Sequence, residues 1–454
     1  MPFTRRDFLK FATLGAIYLK CAAAGIGILA GRKSWAMAPR LDYPPLPGGR
    51  FLGVDPDGFS RVYFARNGSP ERNMEKVLEL MGGIGRFIGP TDIVVLKPNA
   101  QWWNQGMTNT DAMKGFIDLV LAIPGFSGEV IIAENHQYAY DNSRGWTTNE
   151  RNGRFNLNEL VAYYQDRGFR NVTKYHWHVG GPCSEILEGD AQGNRIVKGP
   201  EDGDGYVWLA DTFYISPHGR NCLMTYPVFT SGFSGITIDL KNGAWRDGGY
   251  LNKKVKLINF SAINHHTSYG GVTASVKNLM GVVDMTCGWP GDRMADTYNV
   301  HHIGVSRLVR YCRPKWHWRL EKYRHLLEEF STRNFHHAGG ALGCFMRTVK
   351  MPDLNIITAI NVGWGSRTDS KKSFAAKAVV ASTDPVALDY IAARDILLSG
   401  TPEEAVHKKS GIRYRELNDP EREDGPFRRF LQEAHRQGIG NIDKEMIRTV
   451  SHKS

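Results

Sequence analysis

Short, unbroken apolar runs alternate with helical stripes through the middle of this chain. Residues 92–97 (D-I-V-V-L-K) and Glu129–Glu134 (E-V-I-I-A-E) have the length and continuity of buried strands. Between them, 110–123 carries apolar residues at helical spacing behind a capping threonine, Thr108 or Thr110, and 124–128 is a turn. Strand, helix and strand in that order predict two parallel strands joined by a right-handed crossover. Residues 73–84 place Val77, Leu78, Leu80 and Met81 on a helical stripe. Further along, 254–263, 353–360 and 377–382 read as strands. Residues 273–283, 301–311, 316–330 and 385–398 read as helices, the last with Thr383 or Asp384 as cap and Pro385 in its first turn.

The predicted fold class is α/β: a mixed, mostly parallel sheet with flanking helices and an irregular polar and aromatic insertion. A chain of 454 residues is too long for one simple core. The expected divisions are a leader over 1–36, an N-terminal wrap and helix over 37–89, an α/β domain over 90–400 and a charged, helical, peripheral segment over 401–454. Pro and Gly over 37–64 suggest a surface wrap. Residues 136–253 form the insertion, with one helix at 157–167 and turns or short hairpins over 185–206. No internal repeat is visible.

The leader changes the picture most. Residues 4–10 read T-R-R-D-F-L-K, and a weakly apolar run over 11–30 leads to Gly31-Arg32-Lys33-Ser34-Trp35-Ala36. A charged start, an apolar middle and a small-residue exit make an export signal, and the paired arginines with Phe8, Leu9 and Lys10 resemble a bacterial twin-arginine signal. Ser34 and Ala36 place cleavage after Ala36. Lys20 makes the run a poor permanent span, although an uncut anchor is the other reading. The expectation is a protein exported folded by the twin-arginine machinery to the periplasm or beyond, with no permanent membrane span after cleavage.

The formal charge is +11, and the leader holds six cations against Asp7, which leaves +6 for the mature chain. That mild bias suits small anionic ligands and gives no reason to expect nucleic acid. Six cysteines are present, none at C-x-x-C spacing, so there is no iron–sulfur or c-type haem motif. Cys21 leaves with the leader, and the remaining count is odd.

Ligands of parallel α/β sheets bind at the carboxyl ends of the strands. There this sequence places Lys97 and Asn99, then Glu134, Asn135 and His136, then Asn264, His265 and His266, and finally Thr383 and Asp384. Asp384 reads best as a helix cap. The run 264–281 is the sharpest candidate. A strand feeds Gly270-Gly271, which opens a helix whose first amides would hold an anion. Thr273 and Lys277 would share one face of it, with Asn278 beside them. In this reading Lys97, Asn99, Gly270, Gly271, Thr273, Lys277 and Asn278 bind an anion, and His266 or Glu134 moves a proton. A capped helix with a lysine reaching the surface is the ordinary alternative.

Histidines occur as the pairs His265-His266, His301-His302 and His336-His337. Imidazole is a common transition-metal ligand. Neighbours in a strand point to opposite sides, so a pair supplies at most one ligand each. His266, His301 and His302 are the metal candidates; support or surface roles are the plainer reading. Trp102-Trp103 would pack in the core or stack on a ligand.

V-V-L-K-P-N at 94–99, G-G-V-T-A-S-V-K-N-L-M-G at 270–281, a histidine at 301 or 302, and A-S-T-D-P-V-A-L-D at 381–389 occur in that order. Together they resemble exported members of the domain-of-unknown-function family 362 over roughly residues 90–400. Many relatives carry ferredoxin-like cysteine motifs, which this chain lacks. Relatives often have lysine where Asn264 stands and aspartate where Thr358 stands. The resemblance implies fold and export but no reaction. An enzyme with an anion-binding, metal-assisted site is one reading. A non-catalytic binding or accessory protein for a redox complex is the other.

Overall fold

The computed structural model describes residues 49–100, 102–135, 151–177, 196–216, 221–284, 297–298, 300, 303 and 335–453. Residues 1–36, read as a leader, and His136, His301 and His302 lie outside them, as do, apart from residue 303, the helices expected over 301–311 and 316–330.

In chain order, the elements that frame the molecule begin with β1 (Ser60–Arg66), α1 (Pro70–Leu80), β2 (Ile93–Lys97), α2 (Thr110–Leu121), β3 (Glu129–Glu134), α3 (Leu157–Gln165) and β4 (Val172–His176). The strands β5 (Ile196–Val197), β6 (Gly205–Ile215), β7 (Asn221–Thr230), β8 (Thr237–Asp239), β9 (Gly243–Arg246) and β10 (Gly249–Tyr250) follow. Next come β11 (Val255–Ser261), β12 (Asn264–Thr267), β13 (Gly271–Thr273), the single turn α4 (Ser275–Asn278) and β14 (Thr297–Tyr298). The chain closes with α5 (His337–Thr348), β15 (Leu354–Gly363), β16 (Ser373–Ser382), α6 (Pro385–Ala392), α7 (Tyr414–Asn418), α8 (Pro426–Arg436) and β17 (Ile447–Lys453).

The main sheet runs β17-β1-β16-β15-β11-β2-β3-β4, with the β12–β13 hairpin attached beside β15. Strands β15, β11, β2, β3 and β4 are mutually parallel, and β16 is antiparallel to both its neighbours. The fold is thus α/β with a largely parallel central sheet and flanking helices. The unbroken apolar runs have a direct cause. Ile93 and Val95 face one core while Val94 and Leu96 face the other, and Ile131 and Ala133 oppose Val130 and Ile132 in the same way. A parallel strand covered on both faces has no solvent side to mark with polar residues. Helices α1, α2 and α3 cover one face. Helices α5, α6 and α8 and the second sheet, β5 to β10 with β14, cover the other.

Three local expectations change. The cap of α2 is Asn109, whose side chain accepts from Ala112 N at 3.0 Å. Thr108 instead accepts from Asn99 N and donates to Phe260 O, both at 2.7 Å. The segment over 136–253, legible only as polar and aromatic, contains the second sheet. Its longest pair, β6 and β7, is antiparallel and irregular between Trp208 and Phe213, which hides the alternation.

The C-terminal segment is not peripheral. Helix α8 buries Phe427, Phe430, Leu431 and Ala434, and β17 pairs in parallel with β1 at the sheet edge. Gly339 permits the close approach of α5 and α8, because a Cβ there would lie 2.0 Å from Phe430 O. Among the described residues no helix is long and apolar enough to cross a membrane.

Candidate functional site

The carboxyl ends of β2, β3 and β11 meet over a chain of buried polar groups. Lys97 is fully buried and donates to Pro98 O at 2.7 Å, Glu134 Oε1 at 2.9 Å and Asn278 Oδ1 at 2.9 Å. An ammonium has three protons, so this set uses all of them. Glu134 Oε2 accepts from Ala100 N at 2.6 Å. Asn278 Nδ2 donates to Asn259 Oδ1 at 2.8 Å, and Asn259 Nδ2 in turn reaches Ser275 and Asn355 at 2.9 Å. Burial pulls the Lys97 ammonium below its ordinary range, and Glu134 opposes that pull. Lys97, Glu134 and Asn278 are therefore brought together, but as a closed set holding α4 to the sheet. In this arrangement Lys97 has no N–H left for a ligand. Asn99 is buried with its backbone tied to Thr108 on both sides.

The Gly-Gly turn does not open a helix. Gly271, Val272 and Thr273 form β13, antiparallel to β12, with Thr273 opposite Asn264. The helix begins only at Ser275 and lasts one turn. Its first amides are already occupied, because Ser275 N and Val276 N donate to the two Asp389 carboxyl oxygens at 2.7 and 2.9 Å. Burial pushes the Asp389 carboxyl up to about 8 against the pull of those amides. Gly271 has φ +65°, and a Cβ there would lie 2.5 Å from Phe427 Cβ. Its glycine thus serves the approach of α8, and a Cβ on Gly270 would meet Phe335 at 3.0 Å and His266 at 3.1 Å.

Lys277 breaks the pattern of satisfied groups. It is 6% exposed, yet among the described residues its ammonium has no hydrogen-bond or ion-pair partner. Burial lowers it to about 7, with the Arg367 and Lys97 charges adding to the effect and Glu134 opposing it. Arg367, on the loop after β15, lies within 3.3 Å of His266 Nδ1 and sits 4.2 Å over the Trp102 ring. Asn264 Nδ2 and Oδ1 are also buried without partners. The pairing of β12 with β13 is irregular between His265 and Thr267, which interrupts regular alternation at His266. His265 turns instead to Asn418 at 2.8 Å and to the Tyr414 ring, and burial lowers it to about 4. The two histidines at 265–266 thus have different partners.

Arg367, Asn259, Ser275, Asn355 and Asp389 were not singled out from the sequence. Arg367 carries a usable signal, since it follows Gly363-Trp364-Gly365 just past a strand end. Thr358, where relatives often carry aspartate, accepts from Asn109 N at 2.9 Å and donates to Ser261 O at 3.2 Å. Asp384 is the cap of α6 and also accepts from Ser60 and Asn441.

Of the metal candidates, only His266 is described. Among the described residues, His336, His337 and Glu433 group their ligand atoms within 4.8 Å, all buried. The Tyr214 hydroxyl lies 3.0 Å from His337 Nδ1 and 2.9 Å from Glu433 Oε2. Arg429 donates to His336 Nε2 at 3.1 Å, and Arg436 pairs with Glu433. A metal at His336 Nε2 would have to displace a guanidinium. As it stands, the cluster clasps α8 to α5 and β6.

Two outcomes test this division. Glu134→Gln leaves a buried ammonium without its counter-charge and should cost about 3–5 kcal/mol in urea unfolding, whereas the double change Lys97→Met with Glu134→Leu should cost less. Lys277→Met should stabilise. The folded-state pKa of Lys277, about 7, lies below its ordinary 10.5, so its cost is complete below pH 7 and fades as pH rises toward 10.5. Denaturation at pH 6 and pH 10 should therefore show a gain, on the order of a few kcal/mol, only at the lower value.

No curated protein and no solved structure matches this chain. Residues 248–394 match the family model described as Domain of unknown function (DUF362), a stretch that holds His266, Lys277, Asn355, Arg367 and Asp389. Over that stretch the chain is similar to the DUF362 family.

Proposed function

We propose that this chain is an exported enzyme that binds a small anionic substrate at the carboxyl edge of the main sheet, beside Lys277. The observation that carries this reading is the buried Lys277 ammonium with no partner. A protein that satisfies Lys97 with three acceptors and Asp389 with two amides leaves this one cation uncompensated, at a cost to its own stability. A ligand anion would supply the missing charge. Arg367 adds a second cation, and Asn264 offers both a donor and an acceptor. His266, in contact with Arg367, is the group placed to move a proton. Glu134 is engaged by Lys97 and Ala100, which argues for a holding role. Export folded by the twin-arginine route rests on residues 1–36 and the paired Arg5-Arg6.

Titration calorimetry at pH 6 with phosphate, oxalate and pyruvate tests the reading. Wild type should bind at least one of them, with affinity falling as salt rises. Lys277→Ala and Arg367→Ala should each weaken binding roughly tenfold or more, the worth of a charged hydrogen bond. Binding unchanged in both variants would remove the site from this edge. Binding with no turnover of any bound compound would favour the accessory-protein reading instead.

A metal-assisted form draws on His266 with His301 and His302. Elemental analysis of chain purified without chelator should then find about one transition metal per chain, lost in His266→Ala. Metal retained in His266→Ala and lost in His337→Ala would move the centre to the His336, His337 and Glu433 cluster.

A further inference from the structure

Resting on the anion-site reading, we infer that Lys277 is a covalent nucleophile, forming an imine with the carbonyl of a small oxo acid whose carboxylate is held by Arg367. Three independent features of the site point there. First, the lysine is buried, and among the described residues no acceptor holds its proton. A lysine that serves only as a charge is normally matched, as Lys97 is by Glu134. Second, its charged surroundings are Arg367, Lys97 and Glu134, and Glu134 is already bound to Lys97. Desolvation beside other cations favours the neutral amine, the form that attacks a carbonyl. Third, the neighbouring groups divide the work that an oxo acid requires. The Arg367 guanidinium matches a carboxylate, being planar and always charged. Asn264, opposite Thr273 in the hairpin that leads into α4, is a buried amide without a partner among the described residues.

The chemistry balances without an oxidant or reductant. The Lys277 Nζ lone pair attacks the carbonyl carbon and forms a C–N bond. The attacking nitrogen gives up one proton as the carbonyl oxygen takes one, which leaves a neutral carbinolamine. A second proton on that oxygen lets it leave as water, and the nitrogen lone pair closes the iminium. His266, which lies against Arg367, is the side chain we assign to passing those protons. The positive iminium then withdraws electrons from the adjacent carbon, which suits decarboxylation, aldol-type cleavage or proton exchange at that carbon. Burial supports the same assignment, because an amine lowered to about 7 is about half neutral at physiological pH.

The test is reductive trapping on the full chain. Wild type is incubated with pyruvate and cyanoborohydride, then digested and mapped by mass spectrometry. The expected result is one reduced pyruvyl adduct, on Lys277. Lys277→Arg, checked for folding by circular dichroism, should give none. Arg367→Gln should lower trapping of pyruvate roughly tenfold more than it lowers trapping of acetaldehyde, which has no carboxylate. An adduct spread over many lysines and unchanged in Lys277→Arg would overturn the inference. So would no adduct on a wild-type chain that binds pyruvate in calorimetry, and in that case the anion site would stand. Acetaldehyde trapped at Lys277 in a chain that binds no anion would keep the nucleophile and remove the anion site.

Discussion

The Lys97–Glu134 ion pair sits where two parallel strands end, with neither side chain reaching solvent. Taking both charges out of water costs several kcal/mol per ion, and the cost is recovered only when the remaining protons and lone pairs are also satisfied. Here they are, through Pro98, Ala100 and Asn278. Asn278 extends the set through Asn259 and Ser275 to Asn355, and the amides of α4 close it on Asp389. One connected group of polar residues therefore sets where α4 lies relative to β2, β3, β11, β15 and α6. Lys277 sits inside α4, so its position follows from a network in which it makes no bond itself.

That contrast organises the site. Buried polar groups are expected to be hydrogen-bonded, and the network around Lys97 obeys the rule closely. Lys277 and Asn264 depart from it within one small region. Departures in well-packed surroundings concentrate where a ligand completes the structure. The region is closed from behind by α8, which approaches Gly271 and Gly339 so nearly that neither could carry a side chain. The C-terminal helix thus holds the hairpin and α5 in place, and the Tyr214, His337 and Glu433 contacts tie it to the second sheet.

Much of the framework was legible as pattern. The strand at Glu129–Glu134 matches to the residue, and those at 92–97 and 254–263 shift by one or two positions, because doubly covered strands read as plain apolar runs. Helix α6 is recognisable from Asp384-Pro385, a cap whose geometry is local. The errors also have causes. The run at 270–281 has helical composition, but its first residues pair with β12, and tertiary pairing outweighs propensity. The charged C-terminal segment looked peripheral because α8 shows only four of its eleven residues as buried apolar groups, enough for a stripe facing the core. Strand β17 gains its place from β1, nearly four hundred residues away in the chain.

By itself, the sequence determined the α/β class, the parallel core strands and the short list of polar residues at strand ends. Those depend on local periodicity and on the rule that parallel strands present their carboxyl ends to ligands. Which of those residues are spent and which are available was decided only by tertiary structure. Nothing in the local sequence tells apart the fates of Lys97, after Ile93-Val94-Val95-Leu96, and Lys277, after Thr273-Ala274-Ser275-Val276. Whether a buried ammonium is matched depends on acceptors brought from Glu134 and Asn278 in one case and on none in the other. Partners that lie 37 and 181 residues away leave no mark on the local pattern.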